Sequence, residues 1–209
     1  MQDVYAVIPV KPLAIGKSRL GGWLPPSERV ALNACLLQHT LAVAAEFPGP
    51  ARCIVVSASA DVRHLAQRRG MIALADPPGG ETLNDAVAAA SQVALAHGAE
   101  ALFVLPVDLP MLSAAKLRHT IAAAPPSPTC LLIADQHGEG TNFLYQAPVR
   151  LLHYRYGANS CALHAEAAWR AGLVPQICRA DTAWFDLDRV PDYRRWSAAT
   201  AAAPALLPA

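Results

Sequence analysis

Short, mostly apolar runs recur along this chain with helix-length segments between them, and that alternation restricts its possible folds more than any other feature. Val4–Val10, Arg52–Ser57, Met71–Ala75, Ala101–Leu105 and Thr129–Ala134 are rich in Val, Ile, Leu and Ala. Runs of this length without a polar face read as strands covered on both sides. Between them, the segment from Ser27 to about Phe47 places Val30, Ala34, Leu37, Leu41 and Ala44 on one helical face, with Ser27 or a residue just before it as the cap. Ser59 caps a shorter helix that stops at Gly70, another helix covers about Asp85–His97, and Ser113 caps a fourth over Ala114–Ala124. Strand–helix alternation of this kind predicts an α/β fold with a parallel sheet covered by helices.

Chemistry is expected where the run Ala101–Leu105 ends. Pro106 and Pro110 break the strand, and Asp108 is the one acid between them. A carboxylate just past a central strand lies in the crevice where open α/β sheets bind ligands. After the first strand come three cations, Lys11, Lys17 and Arg19, set among Gly and Ser. Such a loop can hold a polyphosphate or be an ordinary basic surface loop; it matches neither of the glycine-rich patterns whose mechanics are understood. Asn84 opens the third helix, either as a plain cap or as an amide that reads a base edge or ribose. Asp135–Asn142 is a polar turn whose two glycines allow close backbone approach to a ligand, with Thr141 and Asn142 supplying short hydrogen-bonding groups; its bland reading is a hairpin loop. Phe143–Tyr145 then resumes a strand. Ser160 begins a helix over about Cys161–Ala171, where a simple cap and an anion site on free amides are both open. In the extended segment Trp184–Asp188, Asp186 and Asp188 project to one side, a hard oxygen pair suited to Mg²⁺ or a solvent-facing strand edge. A last short helix covers Val190–Trp196.

Composition narrows the classes. The 209 residues suit one domain, read as residues 1–196, followed by an Ala/Pro-rich tail at 197–209 that is expected to be disordered. With 17 Lys and Arg against 16 Asp and Glu, no global field draws the chain to nucleic acid or an anionic membrane. The five cysteines form no C-x-x-C pair and read as reduced, mostly core thiols. No basic leader or apolar stretch of membrane-spanning length is present, so a cytoplasmic protein is expected.

Taken in order, P-V-K-P-x-x-x-x-K-S-R-L, T-L-N, L-P-x-D-L-P, D-x-x-G-x-G-T-N, Y-G-x-x-S-x-x-x-H and F-D-x-D resemble the 2-phospho-L-lactate guanylyltransferase family over about residues 4 to 195. The resemblance implies a three-layer α/β/α sandwich with a mostly parallel mixed sheet, a nucleotide-diphospho-sugar transferase-like, Rossmann-like fold. It also implies transfer of GMP from GTP to a phosphorylated three-carbon acid (2-phospho-L-lactate, phosphoenolpyruvate or 3-phospho-D-glycerate) on the way to the deazaflavin coenzyme F-420. By position, Asp108, Asp186 and Asp188 correspond to Mg²⁺ ligands, Thr141, Gly157 and Ser160 to contacts with the acid, and Lys11, Lys17 and Arg19 to the GTP phosphates. Asn84 is placed on the nucleotide side, and His164 fits the spacing of a residue near the acid's carboxylate but reads equally as a structural histidine of the helix. After F-D-x-D the family often has Thr-Pro-Glu-Asp, where this chain has Arg189-Val-Pro-Asp192, which leaves open how the last helix is capped. Two other readings are a nucleotidyltransferase acting on a sugar phosphate or molybdopterin, and a non-catalytic nucleotide-binding module. A homodimer is the default assembly.

Overall fold

The structure is a computed structural model that describes residues 3–79 and 82–201. Among these, the strands β1 (Val4–Pro9), β2 (Cys53–Val56), β3 (Ile72–Leu74), β4 (Ala101–Val104), β5 (Thr129–Ala134), β6 (Thr141–Ala147) and β7 (Val174–Arg179) form one sheet in the order β3-β2-β1-β4-β6-β5-β7. All adjacent pairs are parallel except those made by β6, which runs against β4 and β5. The helices are α1 (Pro26–Glu46), α2 (Ala60–Arg68), α3 (Leu83–Ala96), α4 (Ala114–Ala122), α5 (Ser160–Arg170) and α6 (Val190–Ala201). The expected mostly parallel three-layer sandwich is the fold observed.

Successive strand residues feed opposite faces, so each buried strand serves two cores. Ala6, Ile8, Val55, Phe103 and Phe143 pack with Leu37 and Leu41 of α1, Ala66 of α2 and Leu117 of α4. Val7, Ile54, Leu102, Val104 and Leu132 pack with Val87 and Ala90 of α3 and with Cys161 and Ala168 of α5. The cysteines are free thiols, and burial pushes those of Cys53 and Cys130 up to about 12. No helix among the described residues is long and apolar enough to cross a membrane.

Several local expectations change. Pro25 and Pro26 open α1, so Ser27 lies inside the first turn instead of capping it; proline suits that place because its missing N–H has no partner there anyway. Thr82 caps α3, with Asp85 reaching back to its backbone N–H, and Asn84 falls inside the first turn as its second residue. Asn159, in the left-handed conformation, caps α5 in place of Ser160. β7 is an additional strand at the sheet edge; among the described strands it pairs with β5 alone, and α5 also packs against it. The last helix continues to Ala201, so the expected disordered tail does not begin at residue 197; its remainder, 202–209, lies outside the described residues, as do Gly80 and Glu81 of the loop before α3.

A third, smaller cluster ties the site loops to the sheet. Leu20 from the basic loop, Leu32 and Leu36 of α1, Phe185 and Leu187 from the acidic segment and Trp196 of α6 bury one another. Leu187 is fully buried, so the flanking residues Asp186 and Asp188 turn outward to the cleft. Leu187→Ala is expected to cost roughly 2–5 kcal/mol of unfolding free energy in urea denaturation with an unchanged slope; a loss under about 1 kcal/mol would show that packing does not anchor this segment.

Candidate active site

The carboxyl ends of β1, β4, β5 and β7 and the beginning of the reversed strand β6 share one rim, where the segments carrying Lys17, Asp108, Thr141 and Asp188 meet the sheet, whereas Gly157 and Ser160 follow the far end of β6 and return to the same cleft. A cleft of about 500 Å³ lies over this rim, lined by Arg19, Asp108, Thr141, Asn142, Gly157, Ser160, Asp186 and Asp188 among others. That is within the roughly 300–1,000 Å³ usual for small-molecule sites. A neighbouring cavity of about 220 Å³ shares Asp108 and Asp188 and adds Lys11 and Lys17.

Charge is organised around Lys17. Its Nζ donates to Asp108 Oδ2 at 3.0 Å and to Asp188 Oδ1 at 3.1 Å, with its side chain only 7% exposed. Burial disfavours the ammonium, but the two carboxylates outweigh that penalty and raise its pKa. Asp188 is itself lowered: burial would raise it, and Lys17 and then Arg19, whose Nη1 donates at 2.7 Å, prevail. Lys17 has a left-handed backbone, φ 54° and ψ 40°, which costs a non-glycine residue about 1–2 kcal/mol and turns its side chain into the cleft. Asn33 holds the loop from behind, donating from Nδ2 to the Leu13 carbonyl at 2.6 Å and leaving no room for a side chain at Gly16. Lys11 is exposed at the mouth of the smaller cavity and has no ion pair with a described residue.

Asp186 is held separately. Asn142 Nδ2 donates both to its Oδ1 and to the Trp184 carbonyl, each at 2.9 Å. Burial raises the Asp186 pKa, the Asn142 hydrogen bond opposes that, and repulsion from Asp108 and Asp188 adds to it. The backbone N–H of Leu187 donates to the Asp108 carbonyl at 2.9 Å, joining the two acidic segments. The cap of α6, left open by the sequence, is the Asp192 carboxylate, which accepts from the N–H groups of Asp188 and Arg189 at 3.1 and 2.6 Å. The three aspartates therefore converge on one cleft. Among the described residues, however, no three His, Cys, Asp or Glu side chains stand close enough to chelate a metal alone, because Asp186 is turned onto Asn142 and Lys17 lies between the other two.

Opposite the carboxylates lies a hydroxyl-bearing wall. Ser160 Oγ donates to Thr141 Oγ1 at 3.1 Å, and Thr141 Oγ1 also lies 3.0 Å from His164 Nδ1. His164 is fully buried, its Nε2 accepts the Arg155 N–H at 3.0 Å, and burial lowers its pKa to about 4. It does not line the cleft, which favours the structural reading of this histidine over contact with the acid's carboxylate. Gly157 does line it, with φ 131°. The amides expected to be free at the start of α5 are partly used, since Ser160 N–H donates to the Gly157 carbonyl and Cys161 N–H to the Glu139 carbonyl. The glycines of the 135–142 turn serve the turn itself. Gly138 has φ 81°, and a side chain at Gly140 would collide with the Asp135 carboxylate, which accepts from the amides of His137 and Glu139. Asn84 accepts the Tyr156 N–H on its amide oxygen at 2.6 Å and so pins the Gly157 loop to α3.

A nucleotidyltransferase has this architecture, with cations and carboxylates facing each other over the carboxyl rim of a mixed sheet. The fold matches a nucleotidyl transferase from Methanothermobacter thermautotroptrophicus at a TM-score of 0.67 and 16% identity, covering 97% of this chain and 100% of that one. A protein from Desulfovibrio desulfuricans G20 described as a nucleotide-diphospho-sugar transferase matches at a TM-score of 0.69 and 16% identity, over 96% and 88% of the two chains. More specifically, residues 4–193 match the family model described as guanylyl transferase CofC like, and the chain belongs to that family. Its relatives include proteins named phosphoenolpyruvate guanylyltransferase from Rubrobacter xylanophilus, 34% identical over 94% of each chain, and from Sphaerobacter thermophilus, 35% identical over 90% of this chain and 89% of that one.

The buried His164 ties stability to pH. Its pKa is below the ordinary 6.5 in the folded chain, so the neutral ring's contribution is complete above pH 6.5 and is lost as pH falls toward about 4, on the order of 3 kcal/mol in all. Urea denaturation of the wild type and His164→Gln at pH 7.5 and 4.5 is expected to show the wild-type advantage shrinking at the lower pH.

Proposed function

We propose that the cleft transfers GMP from GTP to the phosphate of a three-carbon phospho-acid, with phosphoenolpyruvate as the acceptor and Mg²⁺ as the metal. The observation that carries this reading is the buried Lys17 ammonium held between Asp108 and Asp188, with the Thr141–Ser160 hydroxyls on the facing wall of the same cleft. The names of the relatives favour phosphoenolpyruvate over 2-phospho-L-lactate and 3-phospho-D-glycerate. The product is an activated phospho-acid of the kind that coenzyme F-420 assembly consumes.

An acceptor phosphate oxygen attacks the α-phosphorus of GTP, a new P–O–P bridge forms, and the bond to pyrophosphate breaks in line. The attacking oxygen is already anionic, so no general base is needed; the difficulty is bringing two anions together. Lys17 and Arg19 meet the triphosphate, with phosphate oxygens competing against Asp108 and Asp188 for their charge. Lys11, exposed and unpaired to described residues, adds a third cation at the entrance. Thr141, Ser160 and the Gly157 loop receive the acid, and Asn84 acts through Tyr156 by holding that loop. The donor set fits Mg²⁺: the oxygens are hard, and two carboxylates already hold a cation between them. Mg²⁺ commonly takes only one or two carboxylates and completes its shell with substrate phosphates and water. Asp108 and Asp188, with Asp186 beside them, are the residues that would hold it. When bound, it supplies charge neutralisation and orientation of the phosphate oxygens.

Pyrophosphate release from GTP, measured with each of the three acids and with CTP, UTP and ATP in place of GTP, tests this reading; binding of GTP without turnover on any acid would overturn it. Asp108→Asn is expected to lower turnover by about 100-fold or more at an unchanged melting temperature, and a near-normal rate would remove Asp108 from the chemistry. Ser160→Ala should raise the KM for the acid, and a defect confined to the KM for GTP would reverse the assignment of the two walls. EDTA is expected to abolish turnover and Mg²⁺ to restore it.

A further inference from the structure

The hydrogen bonds behind the hydroxyl wall have a fixed polarity. The Arg155 N–H can only donate, so His164 Nε2 must be the accepting nitrogen, and the neutral ring carries its proton on Nδ1. Nδ1–H therefore donates to Thr141 Oγ1, which also accepts from Ser160 Oγ. Both lone pairs of that oxygen are then occupied by donors from within the protein. The Thr141 hydroxyl proton has no acceptor among the described residues, and the cleft is on its open side.

Four features keep the ring in this state. It is fully buried, its Nε2 is tied to a backbone amide, its pKa is far below neutrality, and the Tyr156 ring packs edge-on against it with centroids 4.5 Å apart. Were the proton on Nε2, Nδ1 would become an acceptor, and Thr141 would turn its hydroxyl inward and present only lone pairs to the cleft. Lone pairs repel an anionic oxygen, whereas an O–H attracts it. The tautomer of a ring that never meets the ligand thus decides whether this wall favours anions.

We propose that His164 is a positioning residue whose Nδ1–H fixes Thr141 as a hydrogen-bond donor to an anionic oxygen, phosphate or carboxylate, of the acceptor acid. The assignment rests on the reading of that wall as the acid subsite. It differs from the direct histidine–carboxylate contact that the motif spacing suggests, and it explains why a histidine 23 residues after Thr141 in sequence is buried behind the wall instead of in it.

The test is steady-state kinetics of the full chain with GTP and phosphoenolpyruvate, comparing wild type, His164→Asn, His164→Gln and Thr141→Val, with melting temperatures recorded for each. Asn retains an N–H near the Nδ1 position, whereas Gln retains an acceptor for the Arg155 amide and loses the donor to Thr141. His164→Gln and Thr141→Val are each expected to raise the KM for the acid by about 10-fold or more, with the KM for GTP within about twofold of wild type. His164→Asn should recover most of the acid affinity. The double variant His164→Gln/Thr141→Val should be no worse than Thr141→Val alone, since both changes remove the same donor. An unshifted acid KM in Thr141→Val overturns the proposal even if the His164 variants fold poorly. A rise in both KM values together, or His164→Asn behaving like His164→Gln, overturns it in favour of a purely structural ring. Absence of wild-type turnover with every acid would instead overturn the acceptor reading, and this assignment with it.

Discussion

Two carboxylates and one ammonium set the terms for this molecule. Asp108 leaves the sheet after β4, Asp188 arrives more than seventy residues later, and the two carboxylates would repel each other without Lys17 between them. Asp188 also keeps Arg19, and both carboxylates stay partly exposed, so pairing and water share in holding the group's charges. The lysine holds a left-handed backbone to reach its place, and Asn33 supports the loop from α1. Strain localised where three segments meet is characteristic of positions fixed by function as well as packing.

Apolar burial does the work of bringing those charges together. Leu20 lies one residue beyond Arg19 and Leu187 one residue before Asp188, and both enter the same cluster under α6. The hydrophobic contact is not directional, but it carries the cation loop and the acidic segment to one place, where the ion pairs then choose the final geometry. Asp192 completes the arrangement by caging the amides of Asp188 and Arg189, so the last helix is part of the site's frame.

The fold was legible because β1, β2, β4 and β5 are buried on both faces and wear that burial openly as Val, Ile and Leu. β7 was not legible: Val174-Pro-Gln-Ile-Cys-Arg179 is an exposed edge strand, with Val174 and Ile177 each 53% exposed, and it has neither an apolar run nor clean alternation. The pairing of Asp186 with Asp188 could be read from a period of two. Thr82-Leu-Asn-Asp85 carried a readable capping box that would have freed Asn84 from the role of cap. What no local pattern could reveal were links set by tertiary contact: Lys17 to both carboxylates, Asn142 to Asp186, and His164 to Thr141. The glycines at 138 and 140 carried two readings, close approach to a ligand and a plain hairpin loop; the Asp135 carboxylate folding back on its own turn accounts for both glycines, and Gly140 also lines the cleft.

A single reversed strand has a consequence for how the two walls can vary. Because β6 runs against its neighbours, the tip of the β5–β6 hairpin projects over the same rim as the carboxyl ends of the other strands. Thr141 enters the cleft at the start of the reversed strand, whereas Lys17, Asp108 and Asp188 follow the parallel strands β1, β4 and β7. Changes at that tip and in the first turn of α5 would alter the hydroxyl side of the cavity first, with Asn142, which holds Asp186, as the point where the two sides are joined.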